Sequence, residues 1–196
     1  MKPKILVFAG SNRTSAYSGK TAGAAAAELA RQGAEVTHIS LADYAMPILD
    51  QDLEDAEGVP DGAMRLGRLV ADHDGMLIAT PEYNSSIPPL LKNAIDWVSR
   101  ISKDGDLPLK PYQGKIVAIC ASSPGKLGGI RALNHLRPIL MNVGLEVITP
   151  QCSVGGAGDA FDAEGNLIDE RTAGLMEKVC STLCRHAVLL SEKANA

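Results

Sequence analysis

Gly75-Met76-Leu77-Ile78-Ala79-Thr80, then Pro81-Glu82-Tyr83-Asn84-Ser85-Ser86-Ile87-Pro88, then Lys92-Asn93-Ala94-Ile95-Asp96-Trp97: these three segments decide the fold. The first is apolar throughout, as a strand covered on both faces must be. The second is a polar loop with prolines at its ends. The third belongs to an amphipathic helix from Pro88 or Pro89 to about Ile101, with Leu90, Leu91, Ala94, Ile95 and Val98 at helical spacing. A loop at the carboxyl end of a central strand is where open α/β sheets place ligands.

Outward from this unit the same alternation repeats. Lys4–Ala9 predicts a buried strand, and Ser18 an N-cap for an Ala-rich helix over Gly19–Gln32. Glu35–Ser40 predicts a second strand, residues 41–59 a long acidic surface loop, and Asp61 the cap of a helix reaching His73. Lys115–Ala121 predicts the fourth strand, Ser122–Lys126 a turn and Gly128–Val143 a helix. Residues 104–113 predict a loop, Glu146–Thr149 a fifth strand, a Gly-rich loop runs to Ile168, and Glu170–Glu192 closes the chain as a helix. Strands alternating with helices imply a doubly wound α/β fold: a parallel five-stranded sheet of flavodoxin-like order 2-1-3-4-5 with helices on both faces. At 196 residues, a single domain over 1–196 is expected.

Composition excludes several classes. A net charge of −4 and pI near 5.6 announce no basic surface for nucleic acid. Hydrophobic runs are too short for a membrane span, and a strand starting at Lys4 leaves no room for a signal peptide. Cys120, Cys152, Cys180 and Cys184 form no Cys-x-x-Cys pair, which predicts reduced thiols in a cytoplasmic protein. His38, His73, His135 and His186 lack metal-ligand spacing, so no metal site is expected.

Three loops follow predicted strands on one edge of the sheet. Gly10–Ser18 carries Ser11, Arg13, Thr14, Ser15, Tyr17 and Ser18 ahead of a helix. Hydroxyls, one guanidinium and free helix N–H groups make a phosphate cradle, and the same residues also read as an ordinary Ser-rich turn. The loop lacks both the dinucleotide fingerprint and the P-loop pattern. Pro81, Glu82, Tyr83 and Asn84 form a rigid backbone able to read a flat polar ring; the plainer reading has Glu82 capping the next helix and Tyr83 filling surface. Trp97 reads as core. Ser122-Ser123-Pro124-Gly125-Lys126-Leu127-Gly128-Gly129 is the third loop, placing a helix dipole at the same edge. Gly155–Asp159 reads as a flexible loop.

Gly10-Ser11-Asn12-Arg13, Pro81-Glu82-Tyr83-Asn84 with Lys92-Asn93-Ala94-Ile95-Asp96-Trp97, and Ser122-Ser123-Pro124-Gly125 with Gly128-Gly129 resemble the NAD(P)H-dependent FMN reductase family, which includes bacterial chromate, quinone and azo-dye reductases. The resemblance runs from residue 4 to about 185. It implies tightly bound FMN, with NADPH or NADH as co-substrate and quinones, chromate, azo dyes or flavins as small-molecule acceptors. The leading expectation is a ping-pong reaction: the nicotinamide nucleotide gives up a hydride and leaves before the acceptor enters. By resemblance, Ser11, Arg13, Ser15, Tyr17 and Ser18 hold the phosphate, Pro81, Glu82, Tyr83 and Asn84 the ring edge, and Ser122 and Ser123 the ring or ribityl chain. No side chain is assigned as a catalytic acid or base. The chain departs from the family at Ala16 and Ser18, where Ser and Asn are frequent. A homodimer is implied, with a tetramer as the larger alternative; Asn134 stands where a Tyr helps build some family tetramers beside the counterpart of Arg131. The rival reading is a flavodoxin-like electron carrier that does not oxidise NAD(P)H by itself, for which the modest charge offers little steering.

Overall fold

The computed structural model describes residues 2–194, so the end residues of the domain expected over 1–196 lie outside it. In chain order the elements are β1 (Lys4–Ala9), α1 (Tyr17–Arg31), β2 (Glu35–Ile39), α2 (Gln51–Glu57), α3 (Asp61–Ala71), β3 (Gly75–Pro81), α4 (Pro89–Ser99), β4 (Lys103–Asp104), β5 (Leu107–Pro108), β6 (Ile116–Ser122), α5 (Ile130–Asn142), β7 (Glu146–Val147), β8 (Cys152–Val154) and α6 (Glu170–Ala194). The main sheet is parallel, in the order β2-β1-β3-β6-β7, with β8 also paired to β6. This is the flavodoxin-like arrangement, with β6 as the fourth strand of the expected path.

Alternation along the central strands divides the interior in two. Leu6, Phe8, Met76, Ile78, Val117 and Ile119 face a core completed by residues of α3, α4 and α5. Ile5, Val7, Leu77, Ala79, Ala118 and Cys120 face the other, completed by α1 and α6. Small residues Ala22 and Ala25 on α1 let that helix lie close to the sheet, and both are fully buried. All four cysteines are free and buried. Cys152 opposite Cys120 on the neighbouring strand, together with burial, pushes the Cys120 thiol well up. Burial does the same for Cys180 and Cys184, so these three are not the low-pKa thiols of reactive sites.

Several expected boundaries move. The sheet has six strands rather than five, because the last one is split into β7 and β8. Pro150, which has no N–H to donate, lies in the break between them. Residues 41–59 are not one loop: Leu41–Asp43 is a 3-10 turn and α2 follows, its N-terminus capped by Asp50, whose Oδ1 accepts from the Asp52 N–H at 2.9 Å. Residues 104–113 include all but the first residue of the β4–β5 hairpin. Pro60, not Asp61, occupies the N-cap of α3.

The segment between the 3-10 turn and α2 is anchored by the helix motif quoted at the outset. Asn93 accepts from the Leu49 N–H and donates to the Pro47 carbonyl, both at 2.8 Å. The fully buried Trp97 donates its indole N–H to the same carbonyl at 2.8 Å. Lys92 and Asp96 pair one turn apart on the outer face. Asn93→Leu removes both of its bonds and leaves the Leu49 amide without a partner. The expected loss is about 2 kcal/mol in urea unfolding, whereas Lys92→Ala changes stability by less than about 0.5 kcal/mol.

Candidate functional site

The three loops singled out in the sequence leave the carboxyl ends of β1, β3 and β6, three adjacent strands. The Gly10 N–H donates to the Ala79 carbonyl at 2.8 Å, fixing the exit of β1 beside that of β3. A Cβ at Gly10 would stand 3.1 Å from Leu91 Cδ2 and 3.4 Å from Pro81 Cδ, so the first two loops approach closely. Pro81 pairs with Ser122 in the β3–β6 register. Ser11–Ser18, Pro81–Asn84 and Ser122–Ser123 therefore share one edge.

In the first loop, the Arg13 guanidinium donates to Ser15 Oγ at 3.0 Å and lies 5.8 Å from the centre of the Tyr17 ring. The Arg13 amide donates to Ser11 Oγ at 3.3 Å. Ser18 is not the N-cap. Ala16 occupies that place with extended backbone, and Ser18 is the second residue of the helix. Ala16 has no side chain to cap with, and the first turn carries no acidic residue. The helices that follow β3 and β6 start the same way: Pro88 and Gly129 are the N-caps of α4 and α5, with no side-chain cap and no acid in the first turn. By contrast, α2 and α3 have acids in their first turns. Helix N-termini without carboxylates carry uncompensated positive dipole ends. Three of them converge on this edge.

The second loop is a tight reversal. Asn84 and Ser85 have φ of 49° and 69°. The Tyr83 N–H donates to the Ser86 carbonyl at 2.9 Å and the Ser86 N–H to the Tyr83 carbonyl at 3.0 Å. Positive φ at both central residues is the signature of a type I′ turn, which Asn tolerates better than most residues. Glu82 does not cap α4; its carboxylate accepts from Arg131 Nε at 2.7 Å. Tyr83 is half exposed, as the plainer reading had it.

The third loop is knitted to residues 153–157, which overlap the Gly155–Asp159 loop expected to be flexible. The Ser123 N–H donates to Val154 O, the Ala157 N–H to Ser123 O, the Gly156 N–H to Gly125 O and Ser153 Oγ to Leu127 O, at 2.9–3.2 Å. Ala157 is fully buried, and a Cβ at Gly158 would lie 3.6 Å from the Tyr17 hydroxyl. Sequence reasoning missed this fourth wall because β8 is only three residues long, too short to show a period. The periodic signal ended at Thr149.

Among the described residues, three buried side-chain oxygens have no hydrogen-bond partner: Ser18 Oγ, Ser122 Oγ and Glu82 Oε2. One lies in the first turn of α1, one ends β6 and one immediately follows β3, so all three flank this edge. Buried polar atoms are ordinarily paired. No cluster of three or more potential metal ligands occurs among the described residues, and no helix there is long and apolar enough to cross a membrane.

Known proteins match most of this chain. The sequence profile of the family described as NADPH-dependent FMN reductase matches residues 3–159. The chain is 35% identical over 182 residues to an NAD(P)H-dependent FMN reductase of Pseudomonas aeruginosa, covering 92% of each chain. It is 37% identical over 174 residues to a quinone reductase of Escherichia coli, covering 87% of this chain and 88% of that one. Among solved structures, the flavoenzyme NAD(P)H:(acceptor) oxidoreductase FerB of Paracoccus denitrificans superimposes with a TM-score of 0.77 at 26% identity, covering 95% of this chain and 97% of that one.

Proposed function

We propose a function from one premise: the chain belongs to the NADPH-dependent FMN reductase family. It is an oxidoreductase that uses FMN and takes electrons from NAD(P)H, a reading its FMN reductase and quinone reductase relatives support. Quinones are the acceptor class its relatives favour. Chromate, azo dyes and free flavins are further acceptors, served by a ping-pong reaction in which nucleotide and acceptor use the site in turn.

When bound, FMN supplies the two-electron chemistry, taking a hydride from the nucleotide and passing electrons to the acceptor. The chain supplies binding and charge. Ser11, Arg13, Ser15, Tyr17 and Ser18 surround the uncapped start of α1, where amides and one guanidinium meet a phosphate. Ser15 and Ser18 stand in for the residues frequent in the family at positions 16 and 18. Pro81–Asn84 offers the ring a fixed backbone, held by the Tyr83–Ser86 reversal. Ser122 and Ser123, beside the open start of α5, sit where a positive dipole end favours negative charge on a reduced ring. No side chain here is needed as an acid or base.

The observation that carries this reading is the placement of the three unpartnered oxygens, Ser18 Oγ, Glu82 Oε2 and Ser122 Oγ, one beside each loop. Ser18 and Ser122 have a single χ1 whose rotation re-aims the hydroxyl toward a ligand. The test is direct. Purified protein is expected to be yellow, to release FMN on denaturation, and to oxidise NADPH or NADH in the presence of a quinone, with parallel double-reciprocal plots. Colourless protein that FMN does not reconstitute overturns the reading; intersecting plots overturn its ping-pong part alone.

A further inference from the structure

Two residues of α5 reach back to the reversal that follows β3. Arg131, in the first turn of the helix, donates from Nε and Nη2 to Glu82 Oε1. One turn later His135 shares a hydrogen bond with Ser86 Oγ at 3.0 Å through Nδ1. Residues four apart lie on the same helical face. One strip of α5 therefore grips both ends of the Glu82–Ser86 segment, whose centre, Asn84 and Ser85, holds the strained positive φ values.

The two sides of the ion pair are unequal. The Arg131 side chain is 54% exposed, whereas that of Glu82 is 8% exposed. An exposed pair contributes little by itself. Removing the partner of a buried carboxylate is different in kind, because it leaves a desolvated charge that must find water or a proton. Glu82 can find water only by leaving its place, and the turn moves with it. The other Glu82 oxygen already lacks a partner, so Arg131 is what holds the carboxylate inside.

We infer that Arg131 and His135 are positioning residues: through Glu82 and Ser86 they hold the Tyr83–Ser86 reversal in the conformation that receives the flavin ring. This rests on the proposed role of that reversal in FMN binding. It gives α5 a second task beyond offering its N-terminus, and it gives Arg131 a partner within its own subunit.

The test uses the full-length protein with two readouts. FMN affinity is measured from the fluorescence of flavin released on serial dilution of the holoprotein. Amide hydrogen exchange at Tyr83 and Ser86 is measured in the flavin-free chain. Arg131→Gln is expected to raise the FMN dissociation constant about tenfold, the size of one lost charge-assisted hydrogen bond, and to speed exchange at both amides while Leu77 and Ile78 in β3 stay protected. Arg131→Lys keeps the charge without the fork and is expected to recover affinity to within about threefold of wild type. His135→Leu is expected to weaken FMN about threefold. If Arg131→Gln does not fold, Arg131→Lys and His135→Leu carry the same two measurements. Unchanged exchange at Tyr83 and Ser86 overturns the clamp and leaves the proposed function standing. Faster exchange with wild-type FMN affinity overturns the inference together with the role given to the reversal. Affinity lost equally in the Gln and Lys variants, alongside a lower melting temperature in both, also overturns it, since a merely structural role behaves that way.

Discussion

Gly128→Ala is expected to destabilise the protein by at least about 3 kcal/mol in urea unfolding and to weaken FMN binding by more than about tenfold. Gly128 has φ of +59°, a conformation costing an alanine about 1–2 kcal/mol. The space is closed as well. A Cβ there would lie 2.5 Å from Ser153 Oγ, 2.7 Å from Gly155 N and 2.8 Å from Val154 C. Two of those atoms are backbone and cannot rotate away. They belong to the segment leaving β8, which the Ser123 N–H bond to Val154 O and the Gly156 N–H bond to Gly125 O fasten to the third loop. Relief requires either β8 to part from β6 or the loop at Ser122–Ser123 to lift, and the second disturbs the site. Gly125, three residues earlier, is the control. Its added Cβ would meet nothing nearer than Ser123 Oγ at 3.7 Å, and its φ lies outside the left-handed region. Gly125→Ala should stay within about 0.5 kcal/mol of wild type. Equal stability of the two variants would show that the third loop is not locked to β8.

The parts of this fold legible from sequence are those whose signal is local. The apolar runs of β1, β3 and β6 and the spacing of Leu91, Ala94, Ile95 and Val98 on α4 follow directly from what each element buries. With right-handed crossovers they leave few sheet orders, and they put the three loops on one edge. What stayed hidden acts at long separation or in very short elements. Asn93 and Trp97 carry polar atoms whose partners lie 44–50 residues away at Pro47 and Leu49. The acidic segment around α2 therefore read as solvated loop, and α2 itself buries no residue. On the plainer of its two readings Glu82 caps the helix beside it, yet its partner Arg131 is 49 residues on. Ser18 is a good capping residue by type, but the helix starts a turn's fraction earlier, behind Ala16, a residue that cannot cap. Ala16, Pro88 and Gly129 make no side-chain cap and precede first turns without a carboxylate, whereas Pro60 precedes Asp61; sequence displays this pattern, and it points to helix ends left open for something other than the chain.

That pattern gives the buried hydroxyls their meaning, and it leads to an expectation of opposite signs. Ser18→Ala and Ser122→Ala should each make the flavin-free protein more stable while weakening its hold on FMN. In the flavin-free chain, each Oγ is buried without a partner, and such a group costs about 1–3 kcal/mol. Removing it is expected to gain about 1 kcal/mol, a rise of roughly 2–4 °C in melting temperature for a chain of this size. A hydroxyl that served only packing or the local backbone would give the reverse, since its loss would lower stability and leave flavin binding alone. On the proposed placement the Ser18 hydroxyl would meet the charged phosphate, so its removal should raise the dissociation constant about thirtyfold. On the same placement the Ser122 hydroxyl would meet neutral polar atoms of the ring or ribityl chain, and about tenfold is expected. Riboflavin, which lacks the phosphate, separates the two. Ser18→Ala should bind riboflavin as wild type does, whereas Ser122→Ala should bind it as much more weakly as it binds FMN. Loss of stability in both flavin-free variants, with FMN affinity unchanged, would mean that these oxygens are idle and that the site has been drawn around the wrong atoms. A raised melting temperature with a weakened flavin is the outcome that follows if this edge keeps its buried polar groups unpaired until FMN pairs them.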